Sequence, residues 1–234
     1  MKESSQFIQG RSLVADKLIA EMKARKTPYI ENVFGLDIKV NRGVYPPEKK
    51  EITVLYFEDK GASLLKHQPH VLDFGCGSGF LSIYVAQKGA IVTAIDINTH
   101  AVNCTIENAT RHHVQDKITT LHSDGFANVP PTSRFDIMMA SIPWEAAEVT
   151  DPNGLDIAFY DHNFSTRLAL FEQGYHLLNP KGCMLLSYSK RADRLNPMKA
   201  FTDKFDFEIV YTAPSTDGNE EEYLYKATKR PTSP

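Results

Sequence analysis

The chain has 234 residues, a formal net charge of −3 and 42% hydrophobic residues, which suits one domain with a sizeable core and a modest appendage. No apolar run approaches the ~20 residues of a membrane helix, and the opening MKESSQFIQGRSLV lacks the apolar stretch of a secretory signal, so a cytoplasmic protein with no membrane partner is expected. Three scattered cysteines (Cys76, Cys104, Cys183) and the lack of a C-x-x-C pair argue against a disulfide framework and a thiolate zinc site. His112 and His113 are neighbours on a helix and point about 100° apart, so they chelate poorly and no metal is expected. The acidic balance speaks against a strongly cationic nucleic-acid binder, yet residues 1–50 hold ten Lys or Arg against six Asp or Glu. That excess reads as a solvated helix face or as a polyanion contact.

In chain order, Leu13, Val14, Leu18, Ile19 and Met22 recur at helical spacing and predict an amphipathic helix over residues 5–26, ended at Thr27-Pro28. Leu36, Ile38 and Val40 alternate as in a strand, and Pro46-Pro47 closes an N-terminal unit, residues 1–47. Residues 48–234 form the second unit. A helical pattern runs from Ile52 through Leu55 and Tyr56 to Leu64 and Leu65. Four short apolar runs follow, HVLDF, AIVTAID, KITTLHSD and FDIMMAS, with helical patterns after the first two at FLSIYVAQKG and at His100–Arg111. Ser165–Leu178 reads as a helix, CMLLSYS as a fifth strand and Asp193–Lys204 as another helix. Continuous apolar strands alternating with helices imply a parallel sheet buried on both faces. FEIVYTA and EYLYKAT, joined by PSTDGNEE, read as a closing antiparallel hairpin.

The chemistry starts at Val71-Leu72-Asp73-Phe74-Gly75-Cys76-Gly77-Ser78-Gly79, where a buried strand runs into three alternating glycines. Glycine permits a tight turn and close backbone approach, and the next helix offers free N–H groups. A dinucleotide fingerprint needs a small residue at position 80, and Phe80 stands there instead. Asp96, at the end of the second strand, suits a bidentate contact to two ribose hydroxyls, beside Ile97. Asp124-Gly125-Phe126, after the third strand, offers an acceptor for an adenine amine and a ring to pack on the base.

The pattern D-x-G-x-G-x-G resembles the cofactor turn of class I S-adenosylmethionine (SAM)-dependent methyltransferases. The stretch from Val71 to Ala109 is similar to the N-terminal half of their core, and its D-I-N-x-x-A-V…E-N-A run resembles the "methyltransferase small", HemK-like group. The resemblance implies a Rossmann-like α/β fold: a mostly parallel seven-stranded sheet, a C-terminal antiparallel hairpin and an N-terminal helical extension. It implies SAM as cofactor, held by Asp73, Gly75, Cys76, Gly77, Gly79, Asp96, Ile97, Asp124, Gly125, Phe126 and Ser141. Ser141-Ile142-Pro143-Trp144 occupies the place of the group's N-P-P-Y motif, with Pro143 matching and the other three replaced. By the resemblance, Ser141 and the Ile142 carbonyl accept from the acceptor nitrogen, Pro143 shapes the turn and Trp144 stacks on the acceptor. Tyr45, in Gly43-Val44-Tyr45-Pro46-Pro47, is expected to line the acceptor pocket, and Asp161 and His162 are candidate bases.

The expected function is SAM-dependent N-methylation of an amine or amide of a small molecule or protein, with the N-terminal helix as lid or acceptor-binding element. Alternatives are an rRNA or tRNA base methyltransferase, suggested by the basic N-terminal stretch, and a non-catalytic SAM-binding scaffold, suggested by the altered N-P-P-Y position. The acceptor and the oligomeric state stay open at this point.

Overall fold

Every strand of the central sheet reads on two faces, and helices cover both. The computed structural model describes residues 11–141, 143, 145, 147–151, 154–189, 197–215 and 221–230. Among these, β3 (His70–Phe74), β4 (Ile91–Asp96), β5 (Ile118–His122), β6 (Phe135–Ser141), β7 (Leu178–Ser189), β8 (Phe205–Pro214) and β9 (Glu221–Lys229) form one sheet of order β5-β4-β3-β6-β7-β9-β8. The first five in that order pair in parallel; β9 is antiparallel to both β7 and β8. This is the expected mostly parallel sheet with a terminal hairpin. Strand order reverses at the β3–β6 pair, and α/β sheets bind ligands at the carboxyl ends of strands at such a point.

Alternation divides the core. Val71, Ile137, Met139 and Leu185 pack on one face with α3 (Phe80–Gln87); Leu72, Met138, Met184 and Leu186 pack on the other with α5 (Ser165–Leu177). α4 (Thr99–Arg111) follows β4, and its N-cap is Asn98, whose Oδ1 accepts from His100 N at 2.9 Å.

Four expectations change in detail. The first helix, α1, runs Leu13–Ala24; residues 1–10 lie outside the described residues. The strand at Leu36–Val40 (β2) has an unforeseen partner in Tyr29–Val33 (β1), joined through Phe34 and Gly35, both at positive φ, a two-residue turn that matches strand twist. The helical pattern from Ile52 breaks into α2 (Ile52–Tyr56), a wide π turn at Phe57–Gly61 and a 3-10 turn at Ala62–Leu65, with the Tyr56 ring against Gly61 where no Cβ would fit. Of the expected helix over 193–204, residues 193–196 lie outside the described set and Pro197–Phe201 forms a 3-10 turn. The N-terminal hairpin is tied into the core: Val33 and Ile38 share a cluster with β3 and α3, and Asn108 of α4 bonds the Lys39 backbone in both directions.

Candidate active site

A cavity of about 480 Å³ opens above the carboxyl ends of β3, β4 and β6. The glycine turn forms its floor. Gly75, Gly77 and Gly79 have φ of 78°, 54° and 80°, a region L side chains rarely adopt. The turn is stitched to β4 by Gly75 N and Cys76 N, both donating to Ile95 O at 2.9 and 3.0 Å. The glycines divide the work. Gly75 and Gly77 line the cavity, with open space or nothing nearer than 3.9 Å where a Cβ would stand. Gly79 faces the protein instead: a Cβ there would lie 2.9 Å from Thr105 Cα of α4. Expected to hold cofactor, Gly79 is placed as a packing residue between α3 and α4. Gly79→Ala combines this overlap with a left-handed backbone, and should lower stability by about 2–3 kcal/mol in urea denaturation.

Two buried acids stand beside the turn. Asp73, 2% exposed, accepts from Ser82 Oγ at 2.6 Å; burial pushes its carboxyl up to about 6. Asp96, 9% exposed, accepts from Gly77 N at 2.9 Å and Asn98 N at 2.8 Å, and burial raises its carboxyl too. Asn98 caps α4, so Asp96 is left facing the cavity. Cys76, Ile97, Asp124 and Gly125 line the same space, Ile97 as an exposed apolar side chain. Phe126 does not stand where expected: its ring packs 5.2 Å from Phe74 in the core, 6% exposed, because the turn at Ser123–Gly125 directs it under the sheet edge.

The acceptor side is built from Ser141 at the end of β6, Pro143, Tyr45, Asp161 and His162, all lining the cavity. Ile142 and Trp144 lie outside the described residues. Tyr45 donates to Glu48 Oε1 at 2.9 Å and sets its ring 5.5 Å from Phe159. Asp161, expected as a loop base, is 1% exposed and already engaged: it accepts from Thr166 N at 2.8 Å and Arg167 N at 3.3 Å in the first turn of α5. Its carboxylate also lies 3.5 Å from Arg167 Nε. His162 is exposed at the rim.

Four residues escaped the sequence reading. Arg167, 0% exposed, donates to the Pro143 carbonyl and from Nη1 to Tyr188 Oη at 3.3 Å, so it anchors Pro143, two residues past Ser141, to β7. Glu48, Glu51 and Glu222 line the acceptor side. An arginine on a helix and a glutamate in a linker give no sequence signal of burial. Only the sheet, which sets Glu222 opposite Ser189 at the carboxyl end of β7, brings it to the cavity.

Part of the basic N-terminal stretch is paired within the chain. Arg11 pairs with Asp16 and Asp156, Lys23 with Asp151 and Asp156, Lys39 with Glu107 and Lys49 with Glu31. Arg11 also lies 4.2 Å over the Tyr160 ring, fixing α1 against Leu155, Phe159 and Tyr160 beside the acceptor side. Among the described residues no helix is long and apolar enough to cross a membrane.

The fold and the glycine turn are those of the class I SAM-dependent methyltransferases. A family model described as Ribosomal protein L11 methyltransferase (PrmA) matches residues 54–147. A Methanocaldococcus jannaschii protein named as an N5-glutamine methyltransferase is 34% identical over 116 residues, 49% of this chain and 54% of that protein. A release factor glutamine methyltransferase of Fusobacterium nucleatum is 29% identical over 145 residues, 58% of this chain and 40% of its own. In fold, the chain is similar to a T. thermophilus 16S rRNA N2 methyltransferase solved with AdoMet and guanosine, with a TM-score of 0.64 and 22% identity over 87% of this chain and 50% of that one. The chain spans about half the length of the curated relatives it matches.

Proposed function

We propose that this chain is a SAM-dependent N-methyltransferase whose acceptor is an amine or amide of a small molecule or a protein. The observation that carries the reading is one continuous cavity with the glycine turn, Asp73 and Asp96 at one end and Ser141, Pro143 and Tyr45 at the other. The donor set fits the cofactor. Two buried carboxyls near a tight glycine turn call for a ligand bearing a cationic amine and hydroxyl donors, and a neutral or anionic ligand would leave them uncompensated.

Asp73 and the turn backbone would hold the amino-acid part of SAM, Asp96 its ribose, and Asp124 with Ile97 its base. When bound, the cofactor supplies a methyl group activated on a sulfonium. The chain's own task is alignment: it fixes the acceptor nitrogen at the end of β6 and excludes water. The Ser141 hydroxyl offers partial negative charge to a nitrogen that becomes cationic. Residues 1–47 serve as cover on the acceptor side, with α1 seated on the 155–160 segment.

The RNA alternative loses part of its support with the internal pairing of Arg11, Lys23, Lys39 and Lys49. The scaffold alternative leaves the acceptor half of the cavity without purpose. The test is methyl-labelled SAM offered with amine- and amide-bearing metabolites and with protein extract, scored by label transfer and S-adenosylhomocysteine release. SAM binding without release in every mixture would favour the scaffold. In the same preparation, Asp96→Ala should weaken SAM binding by about 1.5–3 kcal/mol, the scale of hydrogen bonds to a charged group. Unchanged affinity by calorimetry would remove Asp96 from the ribose.

A further inference from the structure

Asn98 bonds both halves of the cavity. It follows Asp96 by two residues, is 4% exposed and lines the cavity. Its backbone N–H donates to Asp96 Oδ1 at 2.8 Å. Its side-chain Oδ1 accepts from His100 N at 2.9 Å, the cap of α4. Its Nδ2 donates to Gly43 O at 2.8 Å, across 55 residues of chain. We infer that Asn98 is a positioning residue: it holds a strap, residues 43–47, along the cavity and transmits occupancy of the cofactor site to the acceptor wall. The inference rests on the methyl-transfer reading and adds to it the residue that couples the two substrates.

Capping alone does not call for asparagine. At a helix N-cap Asn, Asp and Ser serve about equally well, and a carboxylate would also suit the helix dipole. What Asn adds is a donor beside the acceptor on one planar amide. Here the acceptor is spent on α4 and the donor on Gly43 O. The reverse orientation would set the amide donor against His100 N–H and oxygen against oxygen, so the bonding network fixes it. Ser or Asp would keep the first bond; neither carries the amide donor that makes the second.

The strap is placed to respond to that bond. Before it, Val40 is packed with Val44, Ala101 and Cys104, and Cys104 Sγ and Asn108 Nδ2 both donate to Lys39 O. After it, the chain runs to Glu51, the N-cap of α2. Between these anchors Gly43, Tyr45, Pro46 and Pro47 line the cavity. Pro46 and Pro47 have no N–H to donate, so a sheet ladder cannot secure the strap there. The strap touches both halves. The Tyr45 carbonyl oxygen lies 3.9 Å from where a Cβ on Gly77 would stand, beside the glycine turn. The Tyr45 ring lies 5.5 Å from Phe159 on the acceptor side. Asp96 accepts from Gly77 N and Asn98 N. A ribose on that carboxylate therefore steadies the Asn98 backbone, and the Asn98 amide passes the restraint to Gly43 and Tyr45. Bonds linked in a closed, poorly hydrated site strengthen one another. Such coupling is reciprocal: an acceptor that holds Tyr45 in place tightens the cofactor.

Hydrogen exchange read by mass spectrometry on the full chain tests this, free and saturated with S-adenosylhomocysteine. In the wild type, the ligand should slow exchange at the Gly43, Val44 and Tyr45 amides by about tenfold. Asn98→Ser keeps a cap on α4, so exchange within α4 should stay at the wild-type level. The slowing in the strap should shrink to less than about twofold at the same saturation. Asn98→Asp, of the same shape and also a cap, should lose the slowing too. Wild-type slowing in both variants would show that the ligand steadies the strap by direct contact, and would overturn the inference. Absence of slowing in the saturated wild type would overturn it as well, and both results leave methyl transfer intact. Failure of S-adenosylhomocysteine to bind the wild type at all would instead overturn the methyl-transfer reading, and this inference with it.

Discussion

Arg167→Met is expected to destabilise the fold by about 3–5 kcal/mol, read as a lower urea midpoint at unchanged slope. The guanidinium is fully buried and ties three elements together. It reaches the Pro143 carbonyl after β6, the Tyr188 hydroxyl on β7 and the Asp161 carboxylate before α5. Its plane also lies 4.9 Å from the Phe164 ring centroid. Desolvation lowers its pKa, so the charge is held there by its partners and not by water. Methionine fills much of the volume but leaves Asp161 as a buried carboxylate with only backbone N–H donors and Ser165 Oγ. Removing one member of a buried pair costs far more than removing both. Asp161→Asn added to Arg167→Met should therefore recover at least about 1 kcal/mol, since Asn still accepts from the helix N–H groups. No recovery in the double variant would mean that the pair is not the source of the loss. Methyl-transfer activity should fall more than SAM affinity, because the Pro143 carbonyl loses its anchor while the glycine turn is untouched.

How far the sequence revealed this site follows from range. The cofactor half was readable because its residues are consecutive: Asp73 to Gly79 is one strand and one turn, and Asp96 ends the next strand. Periodicity gave the five parallel strands and the closing pair for the same reason, since each strand is a local pattern. What it could not give was the place of β9 between β7 and β8, because register there is set by cross-strand pairing over some forty residues. Phe126 was misplaced by that logic: an aromatic after a turn can face cofactor or core, and only the Phe74 contact decides. Gly79 was assigned with its neighbours as one motif, yet Thr105, a residue of α4, is what demands a glycine there. The acceptor half was nearly illegible. Its carboxylates are scattered from Glu48 to Glu222, and a glutamate in sequence looks solvated until burial is known.

Burial of Glu51 makes one further demand, on the pH dependence of stability. Its carboxyl is raised from 4.5 to about 8 in the folded chain. Between those values the folded state holds a proton that the unfolded state has released, so stability falls as pH rises through the window. Asp73, raised to about 6, adds to the same slope from about pH 4 to 6. From pH 6 to 8 Glu51 is the main contributor, with Asp96, also raised by burial, acting in the same direction, and Glu51 should remove up to about 1.4 kcal/mol per unit. The carboxylates whose pKa is lowered, Asp16, Glu58, Glu107 and Asp156, lose their contribution only in acid and leave this window clean. Urea denaturation at constant ionic strength should thus show the unliganded protein losing about 2–3 kcal/mol between pH 6 and 8. Glu51→Gln should flatten that fall and, although it alters a helix cap, be more stable than the wild type at pH 8. A wild-type stability that rises or stays level across this range would show that the Glu51 carboxyl reaches water in the folded chain.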